Sequence, residues 1–389
     1  MATVETVLLT DNDRHRAYTG VDKFHKAGYY GQRVKACSGE TWSLDYYNPG
    51  GLCVDPLGIG SGSGHAVDTA ATFFQVAPKA KLYMLYSTNG RYGTTYDSKF
   101  FEYSADVIEK EGINNMFVSL LCSRHKQFVE DLGKWMDDHH FFKWFWAAGN
   151  DSSSKYNPIM EIQQMFGVAA YTLMASGEVG PAYYSSLSPY VDFAAPSMIR
   201  TNITATKPSD GGAPNSGTSF STPWLCGMMT LVDDFFIDKC GGVLTREGMN
   251  QFMLVNCVDM KDPGFDTKTG WGAVVLPDPN TIDIDKYWKI GRSTITPKED
   301  DEIIDVGVHE DDNGKIDDTE VIKMLIDKYS DRNDISAWAV DGMEWAVKNG
   351  IITGVGGNKL APTAALTREQ MAVMLHRFFV AMWNNKLTE

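Results

Sequence analysis

One serine, Ser219, stands in the run Asn215-Ser216-Gly217-Thr218-Ser219-Phe220-Ser221-Thr222-Pro223, behind small residues and ahead of the apolar stretch Trp224-Leu225-Cys226-Gly227-Met228-Met229. That order predicts a helix beginning at the serine. Backbone N–H groups at a helix start have no intrahelical partner and favour negative charge, so a hydroxyl there suits attack on a carbonyl whose oxygen becomes anionic. His65, in Gly64-His65-Ala66-Val67-Asp68-Thr69-Ala70-Ala71, precedes a second helix-like run and titrates near neutrality, as a general base must. Asn150 follows Gly149 at the end of the apolar run Trp146-Ala147-Ala148, and an amide there can donate to an oxyanion. Each residue also has an ordinary structural reading, as a helix N-terminus, a core histidine or a turn residue.

Elements that would position these groups are visible as short apolar runs at Lys81–Tyr86, Met116–Leu120, Lys143–Trp146 and Met165–Ala169, with an amphipathic stretch from Tyr96 to Lys110. Strands alternating with helices predict βαβ units and a mainly parallel sheet covered on both faces, an α/β fold. Composition divides the chain into three. Residues 1–285 carry the strand–helix rhythm and most of the glycine, and residues 286–321 are acidic without helical periodicity, as in a linker. Residues 322–389 form a small helical module, with apolar spacing at Ile322–Leu325, Trp338–Lys348 and Met371–Trp383.

Of the 389 residues, 43% are hydrophobic and 22% charged, which excludes a disordered chain. The net charge of -15 argues against nucleic acid as a partner. It is unevenly placed, because eleven acidic residues face a single lysine between Glu299 and Glu320. No apolar run approaches the roughly 20 residues of a membrane span. Residues 1–16 are polar, so no signal peptide is expected and synthesis in the cytoplasm is. The six cysteines are widely spaced without a CxxC pair, which predicts free thiols in a reducing compartment.

Gly217-Thr218-Ser219-Phe220-Ser221-Thr222-Pro223 resembles the GTS-x-[SA]-x-P signature of the subtilisin-like serine peptidases, the subtilases. Gly64-His65 followed by Val76-Ala77-Pro78-Lys79-Ala80-Lys81-Leu82 is similar to the family's GHGT helix start and VAP-x-A-x-L strand. Ala147-Ala148-Gly149-Asn150 is similar to its AAGN motif. Tyr183–Pro196 and Thr269-Gly270-Trp271-Gly272 resemble later family segments in the right order, so the resemblance covers roughly residues 20–280. It implies a three-layer subtilisin-like fold and peptide-bond hydrolysis through an acyl-enzyme. Ser219 would be the nucleophile, His65 the base and Asn150 the oxyanion donor, with protein or peptide as substrate and no cofactor needed for catalysis.

The same resemblance exposes departures. In register with the family's lead-in GYTGKGVKV, Gly28-Tyr29-Tyr30-Gly31-Gln32-Arg33-Val34-Lys35 places Glu40 where the family has the triad Asp, with Asp45 and Asp55 as alternative acids. The family's HGT reads His65-Ala66-Val67. Its SLGG substrate edge reads Ser119-Leu120-Leu121-Cys122, so side chains stand where glycines admit a substrate backbone. Ser119, Leu120 and Leu121 are the expected substrate-binding residues of a narrowed cleft, which suits narrow specificity or self-processing. The rival reading is a catalytically impaired subtilase-fold component of a cell-surface or phage assembly.

Two further patterns lie beyond residue 285. His309–Glu320 fits a 12-residue EF-hand loop at several places, with Asp311, Asn313, Lys315, Asp317 and Glu320 as calcium ligands and Gly314 at the turn; a solvated acidic linker is the alternative. Ile335–Gly354, Leu360-Ala361-Pro362 and Leu366–Ala372 resemble an S-layer homology (SLH) module. Such modules bind secondary cell-wall polymers, commonly as three copies carrying a TRAE motif; here one copy reads Thr367-Arg368-Glu369-Gln370. The module is therefore expected to dock on a cell wall, an assembly partner or a second copy, and incorporation in a virion or surface assembly follows from that reading.

Overall fold

A computed structural model describes residues 11–56, 58, 60, 64–85, 98–120, 126–156, 158–162, 164–174, 176–201, 214–260, 264–290, 329–336, 339–348, 351–352, 359–364, 371, 374 and 378. Leu121, Cys122 and the acidic segment with Asp311, Asn313, Lys315, Asp317 and Glu320 lie outside them. The chain divides into two units, Met1–Met260 with Thr267–Gly291, and Lys261–Asp266 with Arg292–Glu389.

In the first unit the strands are β1 (Lys35–Ser38), β2 (Cys53–Val54), β3 (Lys81–Met84), β4 (Asn115–Val118), β5 (Lys143–Ala147), β6 (Met165–Leu173), β7 (Val179–Pro181), β8 (Phe193–Pro196), β9 (Ile199–Arg200), β10 (Pro214–Asn215), β11 (Cys257–Val258) and β12 (Ala273–Val274). The helices are α1 (Asp11–Thr19), α2 (Val21–Lys26), α3 (Gly64–Val76), α4 (Ser98–Glu111), α5 (Lys126–Asp138), α6 (Thr218–Cys240), α7 (Arg246–Val255) and α8 (Ile284–Trp288). The sheet runs β11-β12-β8-β6-β5-β4-β1-β3-β2, with β7 on β6. Its pairings from β2 through β12 are parallel, while β7 and β11 pair antiparallel. All four apolar runs expected to be strands are strands, and the amphipathic stretch is α4. α8 continues past residue 285, the expected start of the linker.

Burial on both faces explains why these strands are continuous apolar runs instead of alternating ones. Along β5, Phe145 joins the core cluster beneath α3 and α6, whereas Trp144 and Trp146 join the cluster on the opposite face with Ile108 of α4 and Met136 of α5. Helix α6 is buried almost all round, as its apolar composition requires, and packs on α3 and on β4, β5, β6 and β8. No helix among the described residues is long and apolar enough to cross a membrane.

The order of the strands decides where a site can lie. From β1 the chain passes to β2 and β3 on one side, then crosses to β4 on the other. Such a switch opens a crevice at the carboxyl ends of the strands. Glu40 follows β1, Ser119 follows β4 and Asn150 follows β5, so three of the expected residues lie at those ends.

The second unit has a short 3-10 turn at Arg332–Asp334 and helix α9 (Val340–Lys348), within the stretch expected to be helical. Among the described residues Tyr329, Val347 and Leu360 form its buried cluster, flanked by Ile335, Met343 and Ile352. The Asp331 carboxylate accepts the backbone N–H groups of Leu360 (2.8 Å) and Ala361 (2.7 Å), which ties the later loop to the turn.

Candidate active site

Ser219 is the second residue of α6, and the local sequence explains its setting. Gly217 precedes the helix at φ 131°, a conformation other residues rarely adopt, and a Cβ there would lie 3.3 Å from Asn150 Nδ2. Pro223 lies four residues beyond Ser219 and has no N–H, so it cannot satisfy the Ser219 carbonyl within the helix. The Ser119 hydroxyl takes that role, donating to Ser219 O at 2.8 Å. In return the Ser219 hydroxyl donates to Ser119 O at 3.2 Å. The two serines thus join the start of α6 to the end of β4.

His65, the second residue of α3, is joined through Nδ1 to Glu40 Oε1 at 2.7 Å. Glu40 is 6% exposed and His65 36%, so the carboxylate is shielded while the ring keeps a solvent-facing edge. The second Glu40 oxygen accepts the Thr69 hydroxyl at 3.3 Å, and Thr69 is one helical turn after His65. His65 and the hydroxyl that anchors Glu40 therefore come from one face of α3. Burial pulls the His65 pKa down, but the Glu40 hydrogen bond and the charges of Glu40 and Asp68 outweigh it and hold the imidazole above the usual histidine range. Asp55 accepts Gly60 N at 2.8 Å and Asp45 is exposed, so Glu40 is the carboxylate that meets His65.

Asn150 is fixed by its oxygen. Asn150 Oδ1 accepts from Thr218 N at 2.9 Å and from Thr218 Oγ1 at 3.1 Å. Thr218 Oγ1 also accepts Gly149 N at 3.2 Å, which fastens the turn after β5 to α6. With the oxygen so held, Nδ2 remains a donor beside Gly217 and the start of α6. Phe220, next to Ser219, meets the His65 ring edge-on with centroids 6.0 Å apart. His65, Glu40, Asn150, Ser119 and Ser219 thus gather at one end of the sheet. The hydroxyl of Ser219 rests on Ser119 and not on His65.

At the expected substrate edge, the Leu120 carbonyl accepts the Trp146 indole N–H at 2.7 Å. Several supporting groups escaped the sequence reading. Thr69 was discoverable from its four-residue spacing to His65, and Thr218 from its place in the serine motif. The Trp146 contact, and a polar chain in which Asn215 Nδ2 donates to Thr201 Oγ1 (2.7 Å) and Thr201 in turn to Asp68, join distant segments and left no local signal.

Known proteins share these features to different extents. The subtilase family profile matches residues 59–272, and the S-layer homology domain profile matches residues 328–372. The first match begins after Glu40, so that residue is placed by its geometry alone. No curated protein matches the sequence. Among solved structures, the prenylagaramide maturation protease PagA superposes with a TM-score of 0.54 at 16% identity, covering 67% of this chain and 96% of its own. A lanthipeptide protease gives 0.53 at 16% identity, covering 68% and 93%. Both likenesses concern the α/β fold. Because the family profile spans more than half of the residues and contains the segments bearing His65, Asn150 and Ser219, this chain belongs to the subtilase family.

Proposed function

We propose that the chain is a serine endopeptidase in which Glu40 replaces the usual aspartate. The observation that carries this reading is the 2.7 Å bond from His65 Nδ1 to the shielded Glu40 carboxylate. A proton held on Nδ1 leaves the Nε2 lone pair as the base. For reaction, the Ser219 hydroxyl leaves the Ser119 carbonyl and turns to Nε2, which takes its proton as Oγ attacks the scissile carbonyl carbon. The tetrahedral oxyanion is met by Asn150 Nδ2 and by backbone N–H groups at the start of α6. His65 then passes the proton to the leaving amine, and water repeats the sequence to release the acyl group. Glu40 is one methylene longer than Asp. Its second oxygen, held by Thr69, limits the freedom that this length would add.

Substrate choice is proposed to be narrow. A substrate strand cannot use the Leu120 carbonyl freely while Trp146 donates to it, and Leu121 and Cys122 add bulk next in sequence. A second reading, an impaired structural component, draws support from the resting bond between Ser219 and Ser119. A fluorophosphonate probe separates the two. Labelling at Ser219, absent in Ser219→Ala, supports the peptidase; no labelling of the folded chain supports the structural reading.

Residues 322–389 are proposed to be a docking module for a cell wall, an assembly partner or a second copy, with residues 286–321 as linker. Calcium at Asp311, Asn313, Lys315, Asp317 and Glu320 is proposed on sequence alone. It predicts more proteolytic nicking between residues 300 and 325 after chelation; an unchanged pattern removes calcium from the account.

A further inference from the structure

Where α6 packs on the sheet, away from solvent, two side chains converge on one carboxylate oxygen of a third. Asn115 in β4 and Lys143 in β5 are register partners on adjacent parallel strands. Lys143 Nζ lies 2.9 Å from Asp233 Oδ2, and Asn115 Nδ2 lies 2.8 Å from the same oxygen. All three residues are fully buried. The other Asp233 oxygen accepts Leu244 N at 3.3 Å, and Lys143 Nζ also donates to Leu244 O at 3.0 Å. Asn115 Oδ1 is buried with no hydrogen-bond partner among the described residues, so the trio is not a closed network that satisfies itself.

Burial biases this trio away from its charged forms. Desolvation lowers the Lys143 pKa and raises that of Asp233, in each case against the attraction of the partner. Both shifts favour a neutral amine beside a neutral carboxylic acid, because isolated charges are costly away from water. A neutral amine is a nucleophile. The primary amide of Asn115, the register partner of Lys143, is the acyl group that shares Asp233 Oδ2 with it, and Nδ2, the nitrogen that would leave, donates to that oxygen.

We propose that Lys143 and Asn115 form an intramolecular isopeptide bond, with Asp233 as the proton-transfer group. Nζ attacks Asn115 Cγ, the Nζ–Cγ bond forms and the Cγ–Nδ2 bond breaks. Asp233 gives its proton to Nδ2 and takes one from Nζ, so ammonia leaves and the acid is regenerated. No oxidant, reductant or cofactor enters the balance. The products are an amide and a neutral acid, so no charge remains buried. Condensation of Lys143 with Asp233 itself is disfavoured because no second acid among their contacts would protonate the leaving oxygen. The bond would fasten β4 to β5, the strands that lead to Ser119 and Asn150, and would stand independently of whether Ser219 is active.

Mass spectrometry of the full chain, purified folded and then denatured, tests this directly. The expected chain is about 17 Da lighter than its sequence, the mass of one ammonia. Tryptic digestion should yield one branched peptide joining the Asn115 and Lys143 segments, with no cleavage after Lys143. Asp233→Asn and Lys143→Met should restore the full mass. Folded wild-type protein that keeps its full mass after prolonged incubation overturns the proposal, and this measurement stands even where a variant fails to fold. A loss of about 18 Da mapped to Lys143 and Asp233 overturns it too.

Discussion

In the larger unit, two extensive apolar clusters sandwich the sheet, and four tryptophans (Trp42, Trp144, Trp146 and Trp224) are among its fully buried side chains. In the C-terminal unit, the core among the described residues is Tyr329, Val347 and Leu360, helped by one carboxylate that gathers two backbone N–H groups. The first unit can hold a costly feature, such as a fully buried Lys143–Asp233 pair, because dense packing around it leaves no cheaper arrangement. Among its described residues the second holds no such pair. A chemical site needs the first kind of scaffold, whereas a docking module gains stability when a partner covers it.

The sharpest way to separate the units is to remove chemistry without touching packing. Ser219→Ala is expected to lower kcat by about 10⁶ while thermal unfolding of the larger unit is unchanged. Activity within tenfold of wild type would show that Ser219 is not the nucleophile.

Glu40→Gln comes next, with an expected loss on the order of 10⁴ in kcat, since it keeps an acceptor but removes the charge that stabilises the imidazolium. The pH profile sharpens this test. His65 must be neutral to act as base, and its pKa is raised, so the acid limb of kcat/KM should lie above the ordinary histidine value of about 6.5. In Glu40→Gln that limb should move down. The stabilisation from the His65–Glu40 pair has the opposite dependence. It is complete below the unfolded value of about 6.5 and is lost as pH rises through the raised folded value. An acid limb that does not move would assign the titration to another group.

Asn150→Ala should cost about 10²–10³ in kcat with little change in KM. A rise in KM alone would mean that the amide binds substrate and does not act on the oxyanion.

The smallest effect expected is on the second unit. Leu360→Ala should remove about 2 kcal/mol or more. That loss is expected to make residues 329–364 susceptible to protease while peptide hydrolysis continues. Loss of activity together with this loss of structure would show that the two units are not independent.

Order along the chain determined much of this protein. The apolar runs at residues 81, 116, 143 and 165 became strands because burial on both faces demands continuous apolar segments, and the segments carrying His65, Asn150 and Ser219 were visible because glycine, small residues and proline punctuate them. Counting register from the lead-in to β1 singles out Glu40, whose carboxylate meets His65 Nδ1, although the family match starts after it. What tertiary structure alone decided is which groups complete one another. Ser119 satisfies a carbonyl that Pro223 leaves open 100 residues away, and Thr218 fixes the amide of Asn150. Asn115, Lys143 and Asp233 meet only because adjacent parallel strands are brought under one helix. Spacing reveals neighbours along a helix or strand. Partners joined through a sheet crossover share no spacing, so their chemistry emerges only when the chain has packed.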